Sequence, residues 1–331
     1  MQHDFLAIGD TTIDAFIRLK DARVHCDLND EDCEICMRYG DKIPYEFVEV
    51  IPAVGNAANA AVSAARLGLN SALRAYVGDD ADGAACYAAL EKDKVDTSLM
   101  VKDPKNKTNY HYVLWYEVDR TILIKHEHYA YSFPALAEEP KWLYLSSMSE
   151  GDAAVTYHAE ISKYLIEHPS VKLAFQPGTF QMRMGKEALK DIYARTEIFF
   201  CNKEEAQRIL GSKSTDANEL MQGIRALGPK IAVVTDGRKG SSIMTDDGAW
   251  HSPMYPDPKP PLQRTGAGDA AASTTVAYII LGLPPQEAML RGLINSANVV
   301  QEIGAQRGLM PREKIEDWYA KRPADFAAVP L

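Results

Sequence analysis

Arg264-Thr265-Gly266-Ala267-Gly268-Asp269-Ala270-Ala271 sets two glycines, one small residue apart, directly before an alanine-rich stretch whose pattern predicts a helix over Ala270–Leu281. The first turn of a helix carries unsatisfied N–H groups and about half a positive charge, so it suits phosphoryl oxygens. Glycines let such a group approach without interference from Cβ. Asp269 then has two readings: a general base that takes the proton of an attacking hydroxyl, or a simple helix cap.

Working outward, short apolar runs alternate with helical patterns, as in βα units that feed a parallel sheet. Strands are predicted at Phe5–Ile8, Leu73–Val77, Trp142–Ser146, Lys172–Gln176, Glu197–Cys201 and Ile231–Thr235. Helical patterns fall at Ala58–Leu67, Gly83–Lys92, Asp152–Glu167, Lys186–Ala194, Glu204–Leu210, Ala217–Leu227 and Gln286–Ile303, and Ser241–Trp250 reads as a hairpin turning at Asp247-Gly248. Two stretches interrupt the alternation. They are expected to form a small β-lid (residues 13–52 and 101–131) over a core built from residues 1–12, 53–100 and 132–331.

The chain has 331 residues, 46% apolar and 25% charged, enough to bury a substantial core. Its formal charge of −10 disfavours nucleic acid and anionic membranes as partners. The N-terminus lacks a signal-peptide pattern and no apolar run reaches the ~20 residues of a membrane span, so a cytoplasmic location is expected. Five cysteines then read as reduced thiols, with Cys26, Cys33 and Cys36 as an incomplete zinc set in the alternative.

Other segments stand in order around the first. Val54-Gly55-Asn56-Ala57-Ala58-Asn59 leads to Ala65-Arg66-Leu67-Gly68, Tyr76-Val77-Gly78-Asp79-Asp80-Ala81-Asp82-Gly83 forms a turn, and Asn202-Lys203-Glu204-Glu205 and Thr235-Asp236-Gly237-Arg238-Lys239-Gly240 each follow a strand. With Thr265–Asp269 these make the sequence resemble the ribokinase and phosphofructokinase-B family of carbohydrate kinases from Phe5 to around Gly308. The resemblance implies a ribokinase-like three-layer α/β/α sandwich, Rossmann-like and mostly parallel, with a small β-sheet lid. It also implies transfer of the γ-phosphate of ATP to an alcohol group of a sugar or sugar-like substrate, a nucleoside being the alternative.

Residue by residue, the same resemblance makes Asp269 the base and Gly266, Ala267 and Gly268 the anion hole. Asp14, Gly55, Asn56 and Asn59 fall to the substrate, where carboxylate and amides suit hydroxyls. Asn202, Thr235, Gly237, Gly240, Asn295 and Asn298 fall to ATP, and Glu205 to Mg²⁺, mostly through water. Asn202 with Glu205 also reads as a capping box, and both roles can hold at once. Tyr110, Tyr112, Trp115, Tyr116 and Tyr131 either stack on a ligand or merely favour strands, and Arg120 resembles a position that closes over the substrate.

Departures from the family pattern are specific. Gln263 stands where many relatives carry an aspartate that helps bind an activating monovalent cation, which leaves K⁺ dependence open. Asn56 replaces a ribokinase lysine, Val54 a glycine, and Gln176 precedes Pro177 where an acid is common. A homodimer through the lid strands is a further expectation. Rival classes are a non-catalytic sugar or nucleotide sensor, against which the intact base and glycine stretch count, and an NAD-dependent oxidoreductase, which would need Gly-x-Gly-x-x-Gly after the first strand.

Overall fold

The computed structural model describes residues 2–26, 33–117 and 119–331. A nine-stranded sheet runs Val329–Pro330, Gly248–Ser252, Ser241–Thr245, Ile231–Thr235, Thr196–Asn202, Lys172–Phe175, Trp142–Leu145, Phe5–Ile8, Ser71–Arg74. The six strands from Ile231–Thr235 to Ser71–Arg74 are parallel and the other three add on antiparallel. Successive residues of a strand point to opposite faces, and the burial follows that period. Phe5, Ala7, Trp142, Tyr144, Ile198 and Phe200 join the core on one face. Leu6, Ile8, Leu143, Leu145, Phe199 and Cys201 join the core on the other.

Both faces must therefore be covered, as parallel sheets require. Helices Asn56–Arg66, Ala81–Lys92, Ala267–Ile280, Pro285–Val299 and Arg312–Ala320 pack on the first face. Asp152–Glu167, Thr179–Ala188, Lys190–Arg195, Lys203–Leu210 and Ala217–Ala226 pack on the second. The result is a three-layer α/β/α sandwich in which truncating a fully buried side chain such as Leu143 or Phe199 would cost about 2–5 kcal/mol. From Phe5–Ile8 the strand order grows in both directions, so ligands belong at the carboxyl ends of the strands around that switch point.

A separate four-stranded sheet is ordered Asp119–Leu123, Tyr110–Tyr116, Thr12–Leu19, Tyr45–Val54. Its inner face carries Phe16, Val113 and Trp115, all buried, and Phe16 and Val113 pack with Ile51, Val54 and Ile303. On its outer face Val48, Val50, Tyr112 and Leu123 are each about half exposed. Residues 27–32 and Val118, which fall within the expected covering segments, lie outside the described residues.

Several boundaries differ from expectation. The run Leu73–Val77 is divided: Ser71–Arg74 stays in the main sheet, whereas Tyr76–Gly78 leaves it to pair with Val101–Asp103. The buried Arg74 guanidinium anchors that departure on the carbonyls of Leu99 (2.9 Å) and Ser132 (2.6 Å). The expected Lys186–Ala194 helix is two, Thr179–Ala188 and Lys190–Arg195. In the hairpin, Thr245 pairs with Gly248, so the turn is Asp246-Asp247, one residue early, with the Asp247 N–H donating to Thr245 Oγ1 at 3.0 Å.

The reading of all five cysteines as free thiols is corrected at two of them. Cys26 and Cys33 form a disulfide, at the position that continues the antiparallel register Arg23↔Cys36, Val24↔Ile35, His25↔Glu34. Cys36 is free and exposed; Cys86 and Cys201 are free and buried. Among the described residues no helix is long and apolar enough to cross a membrane.

Candidate active site

The Ala267–Ile280 helix begins earlier than its alanine pattern suggests, because Gly266 takes the left-handed conformation (φ 82°) and caps it. A Cβ on Gly266 would lie 2.4 Å from the Ala305 Cβ, so glycine alone fits this approach. Asp269 consequently sits inside the first turn and does not cap the helix. Its carboxylate is turned sideways, where Oδ1 accepts from Asn56 Nδ2 (3.0 Å) and Gln176 Nε2 (3.1 Å) and Oδ2 from Asn59 Nδ2 (2.8 Å).

Two of those amides are themselves oriented. The fully buried Tyr144 hydroxyl donates to Gln176 Oε1, which leaves the amide nitrogen facing Asp269. Gln306 Nε2 donates to Asn59 Oδ1 (3.0 Å) and to the Ala53 carbonyl (2.6 Å), with the same effect on Asn59. Burial pushes the Asp269 carboxyl above the usual aspartate range; the three amide bonds oppose this and the nearby Asp14 charge adds to it.

A cleft of about 310 Å³ opens at this carboxylate. Asn56, Gln176, Asn202, Glu205, Thr235, Gly266, Gly268 and Asp269 line it, together with two cations, Arg120 from the four-stranded sheet and Arg264. The first helical bond runs from the Ala270 N–H to the Gly266 carbonyl, which leaves the N–H groups of Ala267, Gly268 and Asp269 without helical acceptors. A smaller hollow beside it is lined by Thr235, Gly237, Gly240, Arg264, Ala267 and Gly268.

Asn202 and Glu205 form a reciprocal capping box, each side chain accepting the other's backbone N–H at 2.8 Å. The Glu205 carboxyl is pushed up by burial; the Asn202 N–H and the Arg208 charge oppose, while Asp269 and Glu204 add. Asp14 lies in the Thr12–Leu19 strand, buried, with His111 Nδ1 of the adjacent strand 3.3 Å from its Oδ1. Gly55, at φ 107°, caps the Asn56–Arg66 helix where a Cβ would stand 2.8 Å from the Asp10 carbonyl.

Asn295 and Asn298 are not brought to the cleft. Asn295 is fully buried and spends its amide on Thr274 Oγ1 (2.8 Å) and the Met310 N–H (2.9 Å), and Asn298 donates to the Gly308 carbonyl (2.6 Å). The face of their helix that reaches the smaller hollow carries Leu293, Ser296 and Ala297.

Sequence reasoning did not assign Tyr144, Gln176, Gln306, Arg264, Asp10 or His126. Asp10 is buried and ligated by His126 Nδ1 (2.8 Å), the Tyr131 hydroxyl (2.7 Å) and the Ser149 N–H (2.8 Å), so it ties the first strand to the chain beyond the second sheet. Tyr131 accordingly has a packing role here, stacked on Tyr157. Gln176 carried a signal in the sequence, a departure from the acid common before that proline; Arg264 heads the glycine stretch and Asp10 follows the first predicted strand, whereas Tyr144, Gln306 and His126 carried none.

Comparisons with known proteins agree with this architecture. A family model described as pfkB family carbohydrate kinase matches residues 30–312. An ATP-dependent 6-phosphofructokinase of Thermoanaerobacterium thermosaccharolyticum is 25% identical over 284 residues, 80% of this chain and 84% of its own. Among solved structures, the nucleoside kinase of Methanocaldococcus jannaschii superposes with a TM-score of 0.76 at 19% identity, covering 97% of this chain and 99% of its own. An Arabidopsis thaliana ribokinase complexed with ribose and ATP gives 0.76 at 17% identity, covering 96% and 98%.

Proposed function

Because this chain belongs to the pfkB family of carbohydrate kinases, and is an ATP-dependent phosphotransferase of that family, we propose that it phosphorylates a hydroxyl of a sugar or nucleoside with Asp269 as the base. One observation carries the reading. Asp269 stands beside the free N–H groups of a helix start, yet its carboxylate caps nothing and is held instead by three side-chain amides. A carboxylate used only for capping would face its own helix.

In the reaction the substrate oxygen gives its proton to Asp269 and attacks the γ-phosphorus. The bond from that phosphorus to the bridging oxygen breaks, and the electron pair leaves with ADP. The N–H groups of Ala267 and Gly268 meet the equatorial oxygens, and Arg264 and Arg120 offset their charge. Thr235, Gly237 and Gly240 border the nucleotide, with Leu293, Ser296 and Ala297 on the side first assigned to Asn295 and Asn298. Asp14, Gly55 and Asn56 border the acceptor, whereas Asn59, its amide spent on Asp269 and Gln306, orients the base instead; the four-stranded sheet closes over the acceptor and excludes water.

Magnesium fits the donor set. Glu205 and Asn202 bring oxygen ligands to the cleft, and a divalent ion that keeps most of its waters needs no more from protein. When bound, the ion neutralises phosphate charge; the burial that raises the Glu205 carboxyl is what a cation beside it would offset. A coupled ADP-release screen over sugars, sugar phosphates and nucleosides tests the proposal, and activity with no acceptor in such a screen would overturn it.

The outer face of the four-stranded sheet supports a homodimer. Cross-strand neighbours there are apolar, Ile17 beside Val48 and Leu114, and Tyr112 beside Leu123, where a solvated face would be polar.

A further inference from the structure

Gln263 is 2% exposed, and three main-chain carbonyls from two loops converge on its amide nitrogen. Glu302 O lies 2.8 Å from Nε2, and Thr265 O and Gly304 O each lie 3.3 Å away. The amide oxygen accepts the Thr265 N–H. One of these loops begins the anion-hole segment. The other passes Ala305, which presses against Gly266.

Carbonyl dipoles aimed at one point repel one another unless something positive stands between them. A bare monovalent cation can fill that place, since clustered carbonyl oxygens replace its hydration shell. An N–H donor is the other solution. Here the amide takes it: one N–H goes to Glu302 O, and the other lies between the two more distant oxygens. Nε2 occupies the point on which the carbonyls converge, so a cation cannot be held there as well.

We propose that Gln263 is a tethered substitute for a monovalent cation, which fixes the loop ahead of Gly266 and makes the phosphotransferase independent of K⁺. The inference rests on the kinase reading for its effect on rate, but not for its effect on binding. Gln263 is a positioning residue, remote from the reacting atoms. An aspartate there would reverse the arrangement, because a carboxylate has no donor and would complete an all-oxygen cage.

The test compares wild type with Gln263→Asp and Gln263→Ala in potassium chloride and in N-methylglucamine chloride at equal ionic strength, reading both melting temperature and initial rate. Wild type should show the same melting temperature and rate in both salts. Gln263→Asp should gain a K⁺-dependent rise in each, by about tenfold or more in rate. A selective K⁺ response of the wild type overturns the proposal. So does a folded Gln263→Asp that responds to neither salt, which would leave Gln263 as an ordinary loop tether. If Gln263→Asp does not fold, Gln263→Ala decides with the wild type: a K⁺-dependent rise in its melting temperature supports the proposal, because the vacated carbonyls then take a cation, and indifference to both salts overturns it. The melting-temperature arm needs no turnover, so it separates failure of this inference from failure of the kinase reading.

Discussion

Gln176 meets Asp269 through its amide nitrogen, at 3.1 Å, and the Tyr144 hydroxyl on the amide oxygen fixes that orientation. A donor to a carboxylate stabilises the ionised form. Gln176→Leu should therefore raise the Asp269 pKa further and move the acidic limb of the kcat profile to higher pH. Tyr144→Phe should give a smaller shift of the same sign, because the amide is then free to turn. A profile that keeps its limb while activity falls would mean that Gln176 only packs.

Asp269→Asn should lower kcat by about 10²–10⁴-fold with ATP affinity retained, measured by nucleotide titration alongside single-turnover rates. Stability should respond as well. A carboxyl whose folded pKa is raised contributes stability that is complete below its unfolded value and lost as pH rises through the folded one. The melting temperature of Asp269→Asn relative to wild type should accordingly improve from acid to neutral pH.

Glu205→Gln should raise the Mg²⁺ concentration needed for half-maximal rate, with little change in acceptor KM. Its capping bond to the Asn202 N–H survives in the amide form, so stability should fall by no more than about 1 kcal/mol. A variant that melts far lower without a changed Mg²⁺ requirement would return Glu205 to a capping role.

Val48→Lys or Tyr112→Lys should dissociate the proposed homodimer, read by light scattering, because each places a charge in the middle of the apolar outer face. Wild type that remains monomeric at high concentration would remove that proposal.

The alternation of apolar runs and helical patterns was enough to read the main sheet, because strands buried on both faces leave continuous apolar stretches such as Phe5–Ile8 and Ile231–Thr235, which match the structure end to end. The glycines at 266 and 268 marked the helix start, but the alanine pattern placed it three residues late because Gly268, a poor helix former, reads as loop although it lies inside the first turn. What stayed hidden was side-chain direction. Asn295 and Asn298 share a helix face, as their spacing required, yet both amides turn inward to backbone and hydroxyl groups. Tyr144 and Gln306 meet the site only through other side chains, across sequence separations that no local pattern encodes.

Asp14 belongs to the four-stranded sheet and Asp269 to the sandwich, so on the proposed mechanism the group that grips the acceptor and the group that deprotonates it ride on different bodies. The free energy with which an acceptor holds those bodies together is then the same free energy that aligns its hydroxyl. Acceptors that bind poorly should also turn over slowly, and water, which cannot bridge the two, should remain a poor phosphoryl acceptor.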